Sequence, residues 1–372
     1  MSGTPTAREL TRPVSVGGVR IGGGAPVSVQ SMTCAPMTRG ADGDGAPHSP
    51  GGPHLDAPAT LEQISRLADA GCELVRVAIP NTASLPHFER VASESPLPVI
   101  ADIHFDFRLA VSASKLGAAA LRVNPGNIGD MSRVDAVIDA AGEAGIPIRI
   151  GVNAGSLVDA IAERDDLSQA AKLALSASDF AAHFRDRGFT DIVVSAKAHD
   201  VMTTVEAYRT LSQELPDVPL HIGVTEAGGA RQGTVKSAAA LGMLLADGIG
   251  DTMRVSLTAD PTEEVAVAYD ILSAVGVRRV RPELVSCPTC SRCQSDLARI
   301  AGEVEERLAA LEKPLSVAVM GCEVNGPGEA ASADVGVACG RDSGLIFAKG
   351  EKLRRVGADE IVDALFAEIE RL

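Results

Sequence analysis

The chain has 372 residues, 45% of them hydrophobic, with no tryptophan and only 3% aromatic residues. Its core must therefore be aliphatic, which suits Val/Ile/Ala-rich parallel strands under Ala-rich helices. A formal charge of −15 argues against a nucleic-acid or anionic-membrane partner, because both call for a basic face.

The opening MSGTPTAREL has no apolar stretch of signal-peptide length, and no later run reaches the length of a membrane span. The expectation is a cytoplasmic protein without membrane contact. The length accommodates two domains, or one barrel with a smaller unit beside it.

The first predicted element is a hairpin with a Gly-Gly turn in VSVGGVRIGGG, followed by a parallel strand near Val27–Thr33. Short apolar runs then recur in ELVRVAI, PVIADIHF, AALRVNPGN, IPIRIGVNAGS, DIVVSAKA, PLHIGVTEAGGAR and DTMRVSL. Between them lie stretches with helical spacing, such as TLEQISRLADAG and TVKSAAALGMLLADG, that end in glycine as a helix C-cap requires. Eight strands alternating with helices over roughly 250 residues define an α/β fold, a TIM (β/α)8 barrel. A doubly wound sheet would carry a Gly-rich fingerprint after its first strand, and VSVQSMTCAP has none.

Residues 35–58 interrupt the alternation with Gly, Pro and Ala, and read as a long loop in which His48 and His54 are solvated. After PTEEVAVAYDILSAVG, the linker VRRVRPE leads to a smaller α+β domain. That domain is read as the strand ELVSC, the helix SDLARIAGEVEERLAALE, the strands LSVAVMG, ADVGVAC and GLIFAKG, and a closing helix. The expected boundaries are 1–277 for the barrel and 278–372 for the second domain.

Polar residues stand out within or at the ends of the aliphatic runs: Arg76, Asp102, His104, Arg122, Asn124, Arg149, Asn153, Ser195, Lys197, Thr225, Arg254 and Ser256. Side chains alternate faces along a strand, so Asp102 with His104, Arg122 with Asn124, Arg149 with Asn153, Ser195 with Lys197, and Arg254 with Ser256 share a face. In a barrel that face is the interior, and strand C-termini open onto the catalytic mouth. Five cations, Arg76, Arg122, Arg149, Lys197 and Arg254, are then expected to converge with only Asp102 and Glu226 to balance them. An unpaired buried charge is costly, so the excess calls for an anion, and a diphosphate suits forked guanidinium donors. Any one of these arginines could equally be paired with a loop carboxylate. Glu226, in the turn TEAGGAR, is a candidate general acid or base, with a bridging role to a neighbouring Arg as the alternative.

Of the seven cysteines, Cys287, Cys290, Cys293, Cys322 and Cys339 fall in the last quarter of the chain, which points to metal ligation rather than a disulfide framework. SCPTCSRC gives Cys287-x-x-Cys290-x-x-Cys293, a spacing that serves zinc or an iron–sulfur cluster. A zinc ribbon would use a second C-x-x-C pair, whereas Cys322 stands alone in VMGCEVNGPGEA. A barrel aldolase or isomerase with a structural zinc domain, using Lys197 for a Schiff base, is the rival reading.

Together SCPTCSR, GCEVNGPGEA, ADIHFD, LRVNPGNIG, IRIGVNAGSL, VTEAGGAR and GIGDTMRVSL resemble the 4-hydroxy-3-methylbut-2-enyl diphosphate synthase family, in its compact bacterial two-domain form, over nearly the whole chain from about Arg12. The resemblance implies an oxidoreductase of the methylerythritol phosphate route to isoprenoids. Its reaction is the two-electron reductive ring opening of 2-C-methyl-D-erythritol 2,4-cyclodiphosphate, with loss of water.

It also implies a [4Fe-4S] cluster held by Cys287, Cys290, Cys322 and Glu329, flavodoxin or ferredoxin as the electron donor, and a homodimer. The barrel cations would hold the diphosphate, and Glu226 would handle the proton that lets hydroxide leave as water. The chain departs from the family in the long 35–58 segment and in Cys293, a second candidate for the fourth ligand that is read here as a free thiol.

Overall fold

The computed structural model describes residues 6–34, 54–311, 313–322 and 326–372, with the backbone alone at Pro327 and Glu329. Most of the predicted 35–58 loop, including His48, lies outside the described residues. His54 is described and is not simply solvated. It is half-buried, its ring centroid 4.7 Å from that of His87. The chain divides into two compact units, the first ending at Arg278 and the second beginning at Arg279.

The first unit opens with the antiparallel hairpin β1 (Val14–Val16) and β2 (Val19–Ile21). Gly17 and Gly18 form its turn at φ 54° and 93°, a backbone that two L side chains in succession would resist. Val14, Val16 and Ile21 bury their side chains against Leu74, Ile100, Ala120 and Val193 from the barrel strands, so the hairpin covers the barrel floor.

The barrel strands are β3 (Ser28–Met32), β4 (Leu74–Ala78), β5 (Val99–Ile103), β6 (Ala120–Val123), β7 (Ile148–Asn153), β8 (Ile192–Lys197), β9 (His221–Ile222) and β10 (Thr252–Met253). They are hydrogen-bonded in the order β8-β7-β6-β5-β4-β3-β10-β9, each recorded pairing parallel. The bridge between Val194 and Leu220 joins β8 to the approach of β9 and brings the ring's ends together.

Among the described residues, eight helices of nine or more residues follow the strands, from Ala57–Asp69 to Pro261–Ala274. Six of them start at an Asp or Ser (Asp56, Asp106, Asp130, Ser168, Asp200 and Asp260) whose side chain accepts a first-turn N–H. Each such cap contributes about 1 kcal/mol and fixes where a βα loop ends. The expected TIM barrel is what the chain forms. Among the described residues no helix is long and apolar enough to cross a membrane.

The second unit is a five-stranded sheet in the order β11 (Glu283–Ser286), β12 (Ser316–Met320), β13 (Val335–Cys339), β14 (Ser343–Ala348) and β15 (Glu351–Gly357). The pairs β11·β12 and β12·β13 are parallel and the remaining two antiparallel. The helices Leu297–Leu308 and Ile361–Ile369 pack Ile300, Val304, Leu308, Leu365 and Ile369 into one core with Val317, Val319, Val335, Val337 and Ile346.

The sequence reading omitted β15. Its residues EKLRRVG are mostly exposed, so no apolar alternation marks it. It forms because Lys349 and Gly350, at φ 50° and 80°, make a two-residue turn that folds it back on β14 as an edge strand.

Candidate active site

The barrel strands bring a group of charged side chains together inside the first unit. Register places Asp102, Arg122 and Arg149 side by side on β5, β6 and β7. Asp102, 1% exposed, accepts from Arg122 Nη1 at 3.1 Å, lies 3.4 Å from Arg76 Nε, and pairs with His104 Nε2 at 3.2 Å. Burial alone would push its carboxyl up. Arg76, Arg122 and the hydrogen bond from His104 outweigh burial and hold it well below the ordinary value.

Arg149 donates Nη1 to Ser195 Oγ at 3.3 Å, while its Nε and Nη2 are buried without a partner among the described residues. Burial, then Arg76 and Arg122, push its guanidinium well down. Lys197 is buried and forms no ion pair among the described residues, and burial and the four arginines Arg149, Arg76, Arg254 and Arg122 depress its ammonium. That mutual influence places five cations in one neighbourhood.

Two glycines make the room. A Cβ on Gly151 would lie 2.6 Å from Arg122 Nε, and one on Gly223 would lie 2.5 Å from Lys197 Nζ. Each long cation lies over a glycine of a nearby strand.

The second carboxylate among these cations is Glu264, which the sequence reading missed. It is 3% exposed and accepts from Arg254 Nε at 3.2 Å and Nη2 at 3.1 Å, from Ser31 Oγ at 3.1 Å and from the Leu257 N–H at 3.0 Å. Glu226, expected to share that balancing role with Asp102, is exposed. Its backbone sits at φ 52°, a strained conformation for a residue other than glycine and one that recurs at functional sites.

The remaining predicted barrel residues are less central. Asn124 is buried and committed, accepting from the Gly126 N–H at 3.1 Å as a helix cap and donating to Ser156 Oγ at 2.6 Å. Asn153 ends β7, Thr225 and Ser256 follow β9 and β10 in the next loops, and all three are half-buried. Two further residues went unread: Met32, whose sulfur accepts from Arg76 Nη2 at 2.8 Å, and His221, fully buried with both ring nitrogens unpartnered among the described residues. Burial and the cations Arg149 and Lys197 push the His221 imidazole well down, so it does not add a further charge.

In the second unit, Ser286 at the end of β11 pairs with Val319 on β12, so the segments beginning at Cys287 and Gly321 leave the sheet at the same end. Gly321 donates its N–H to Cys287 Sγ at 3.1 Å, and a Cβ there would meet Cys293 Sγ at 2.9 Å and Cys287 Sγ at 3.4 Å. Cys290 is exposed, Cys322 half-buried, and Cys339 ends β13 buried at the same edge. Burial raises the Cys339 thiol to about 11, an inert form.

Glu329 closes the helical turn Gly326–Glu329, and its side chain lies outside the described residues. Among the described residues no three Cys, His, Asp or Glu side chains already converge on one point. The donors nonetheless suit a soft metal centre. Thiols follow two adjacent parallel strands, with sulfur against a glycine and an amide N–H on Cys287.

A TIM barrel with surplus cations in its interior, followed in the chain by a cysteine-bearing α+β unit, is the make-up of a barrel enzyme acting on an anionic substrate. The family model described as the GcpE TIM-barrel domain matches residues 11–269, and the GcpE protein C-terminal domain matches 283–371. The chain belongs to the GcpE family. It is 50% identical over 365 residues, 98% of both chains, to the 4-hydroxy-3-methylbut-2-en-1-yl diphosphate synthase (flavodoxin) of Geobacter sulfurreducens. It is 49% identical over 366 residues, 98% of this chain and 90% of the other, to the protein of the same name from Corynebacterium jeikeium.

Proposed function

We propose that this chain is a 4-hydroxy-3-methylbut-2-enyl diphosphate synthase, taking electrons from flavodoxin, or from ferredoxin in its place, in the methylerythritol phosphate route to isoprenoids. It opens 2-C-methyl-D-erythritol 2,4-cyclodiphosphate with two electrons and two protons, releasing one water and the linear diphosphate. The observation that carries the reading is the barrel interior, where five cationic side chains face two carboxylates, Asp102 and Glu264.

Arg76, Arg122, Arg149, Lys197 and Arg254 bind the diphosphate and stabilise the oxyanion that leaves the ring carbon. His104, Asn124, Asn153, Ser195, Thr225 and Ser256 complete the walls, and Asp102 orients Arg76 and Arg122. Glu226 delivers the proton that turns the departing hydroxide into water.

A [4Fe-4S] cluster on Cys287, Cys290, Cys322 and Glu329 supplies electrons when bound. A carboxylate is the hard, exchangeable member of that ligand set. The chain works as a homodimer. Anaerobic turnover of the cyclic diphosphate with reduced flavodoxin tests the reading. A brown, cluster-loaded preparation that forms no linear diphosphate overturns it.

A further inference from the structure

Among the described residues, Glu264 is the carboxylate near the barrel cations that no motif announced, and its surroundings are specific. It lies in the first turn of the helix Pro261–Ala274, next to the Asp260 cap, and is 3% exposed. Its four incoming donors come from three places: strand β3 through Ser31, the residue just beyond β10 through Arg254, and the following loop through the Leu257 N–H. A buried carboxylate with four donors is fully satisfied and has no lone pair left for a ligand.

The way it holds Arg254 is equally specific. Oε2 takes Nε and Oε1 takes Nη2, so one edge of the guanidinium is consumed. Among the described residues, the other nitrogen, Nη1, meets only the Met32 sulfur at 3.6 Å, a weak acceptor.

We infer that Glu264 is a positioning residue. It clamps Arg254 by the Nε/Nη2 edge so that Nη1 is presented to the substrate's diphosphate, and it withholds part of that cation's charge from the bound ground state. The inference rests on the diphosphate reading given above. Without the clamp, Arg254 is an unopposed guanidinium free to pair with whichever phosphate oxygen is nearest. That strengthens anion binding but loses the geometry that favours the opened ring, so binding energy moves from the transition state to the ground state.

The test is a double-substitution cycle on anaerobically prepared, cluster-loaded protein, reading KM and kcat for the cyclic diphosphate and Kd for inorganic diphosphate. Glu264→Gln is expected to lower KM and Kd by about threefold or more while lowering kcat about tenfold, a combination that loss of folded protein cannot give. In an Arg254→Met background, the same Glu264→Gln change should move Kd by less than about twofold, because the effect passes through the missing guanidinium. Should Glu264→Gln not fold, Ser31→Ala removes one donor from the clamp and is expected to shift Kd in the same direction by about twofold.

Unchanged or weaker diphosphate binding in Glu264→Gln, or equal effects in both backgrounds, overturns the inference while parent turnover leaves the assigned reaction standing. A parent that binds diphosphate and shows the predicted cycle but does not turn over the cyclic substrate overturns the reaction and leaves the role of Glu264 intact.

Discussion

Gly151 leaves the space that Arg122 fills: a Cβ on Gly151 would lie 2.6 Å from Nε and 3.0 Å from Nη2 of that side chain. The three nearest atoms all belong to that one side chain, so Gly151→Ala is expected to fold and to displace Arg122. Losing one charged hydrogen bond to phosphate costs about 1.5–3 kcal/mol, a rise in KM of roughly 10- to 150-fold with little change in thermal midpoint. Gly223→Ala differs, because its Cβ also meets the Arg254 carbonyl oxygen at 2.6 Å, backbone that cannot rotate away. It should lose stability as well as binding, and thermal unfolding beside substrate titration separates the two.

Arg122→Ala and Arg149→Ala should each weaken substrate binding and leave the visible spectrum of the holoenzyme unchanged. Both arginines are in the barrel, whereas Cys287, Cys290 and Cys322 are in the second unit. Bleaching of either variant, prepared without oxygen, would mean that the two functions are not divided between the units in this way.

Glu329→Ala and Cys293→Ser distinguish the two candidates for the fourth iron ligand. With Glu329 as ligand, its removal leaves three thiolates and a labile, inactive cluster, and Cys293→Ser is nearly silent. With Cys293 as ligand, the serine variant carries the large change. Iron content and visible absorbance of both variants give the answer.

Asp251 gives a pH signature. It is 2% exposed, accepts from Thr11 Oγ1 and the Leu220 N–H, each at 2.8 Å, and burial raises its carboxyl to about 6. A raised folded value means that its contribution is fully present below the ordinary carboxylate value and is lost as pH climbs through about 6. Asp251→Asn should therefore gain on the parent between about pH 4 and 7 by on the order of 2–3 kcal/mol. Stability curves that stay parallel across that window would show that Asp251 does not titrate there.

Much of the barrel was legible because parallel strands buried on both faces read as aliphatic runs, and cations within them stand out. Arg122 and Arg149 could be placed on one interior from strand parity together with the barrel reading. Glu264 could not. A carboxylate in PTEEVAVAYD reads as an ordinary first-turn helix residue, and only the register of β3 against β10 shows Ser31 and Arg254 arriving at it. His221 was hidden for a similar reason, since a two-residue strand gives too short a period to assign its face. Met32 was overlooked because thioethers are read as core filling, although here the sulfur serves two arginines.

The hairpin under the barrel has a consequence for traffic. Val14, Val16 and Ile21 pack across one end of the barrel, so a ligand of the interior would enter and leave by the other. On the proposed reading, the opened diphosphate would keep the phosphates that the cations bind and would stand in the way of the next molecule of substrate. Its departure would then be a step that turnover waits for, and accumulated product would inhibit by occupying the entrance rather than a separate place.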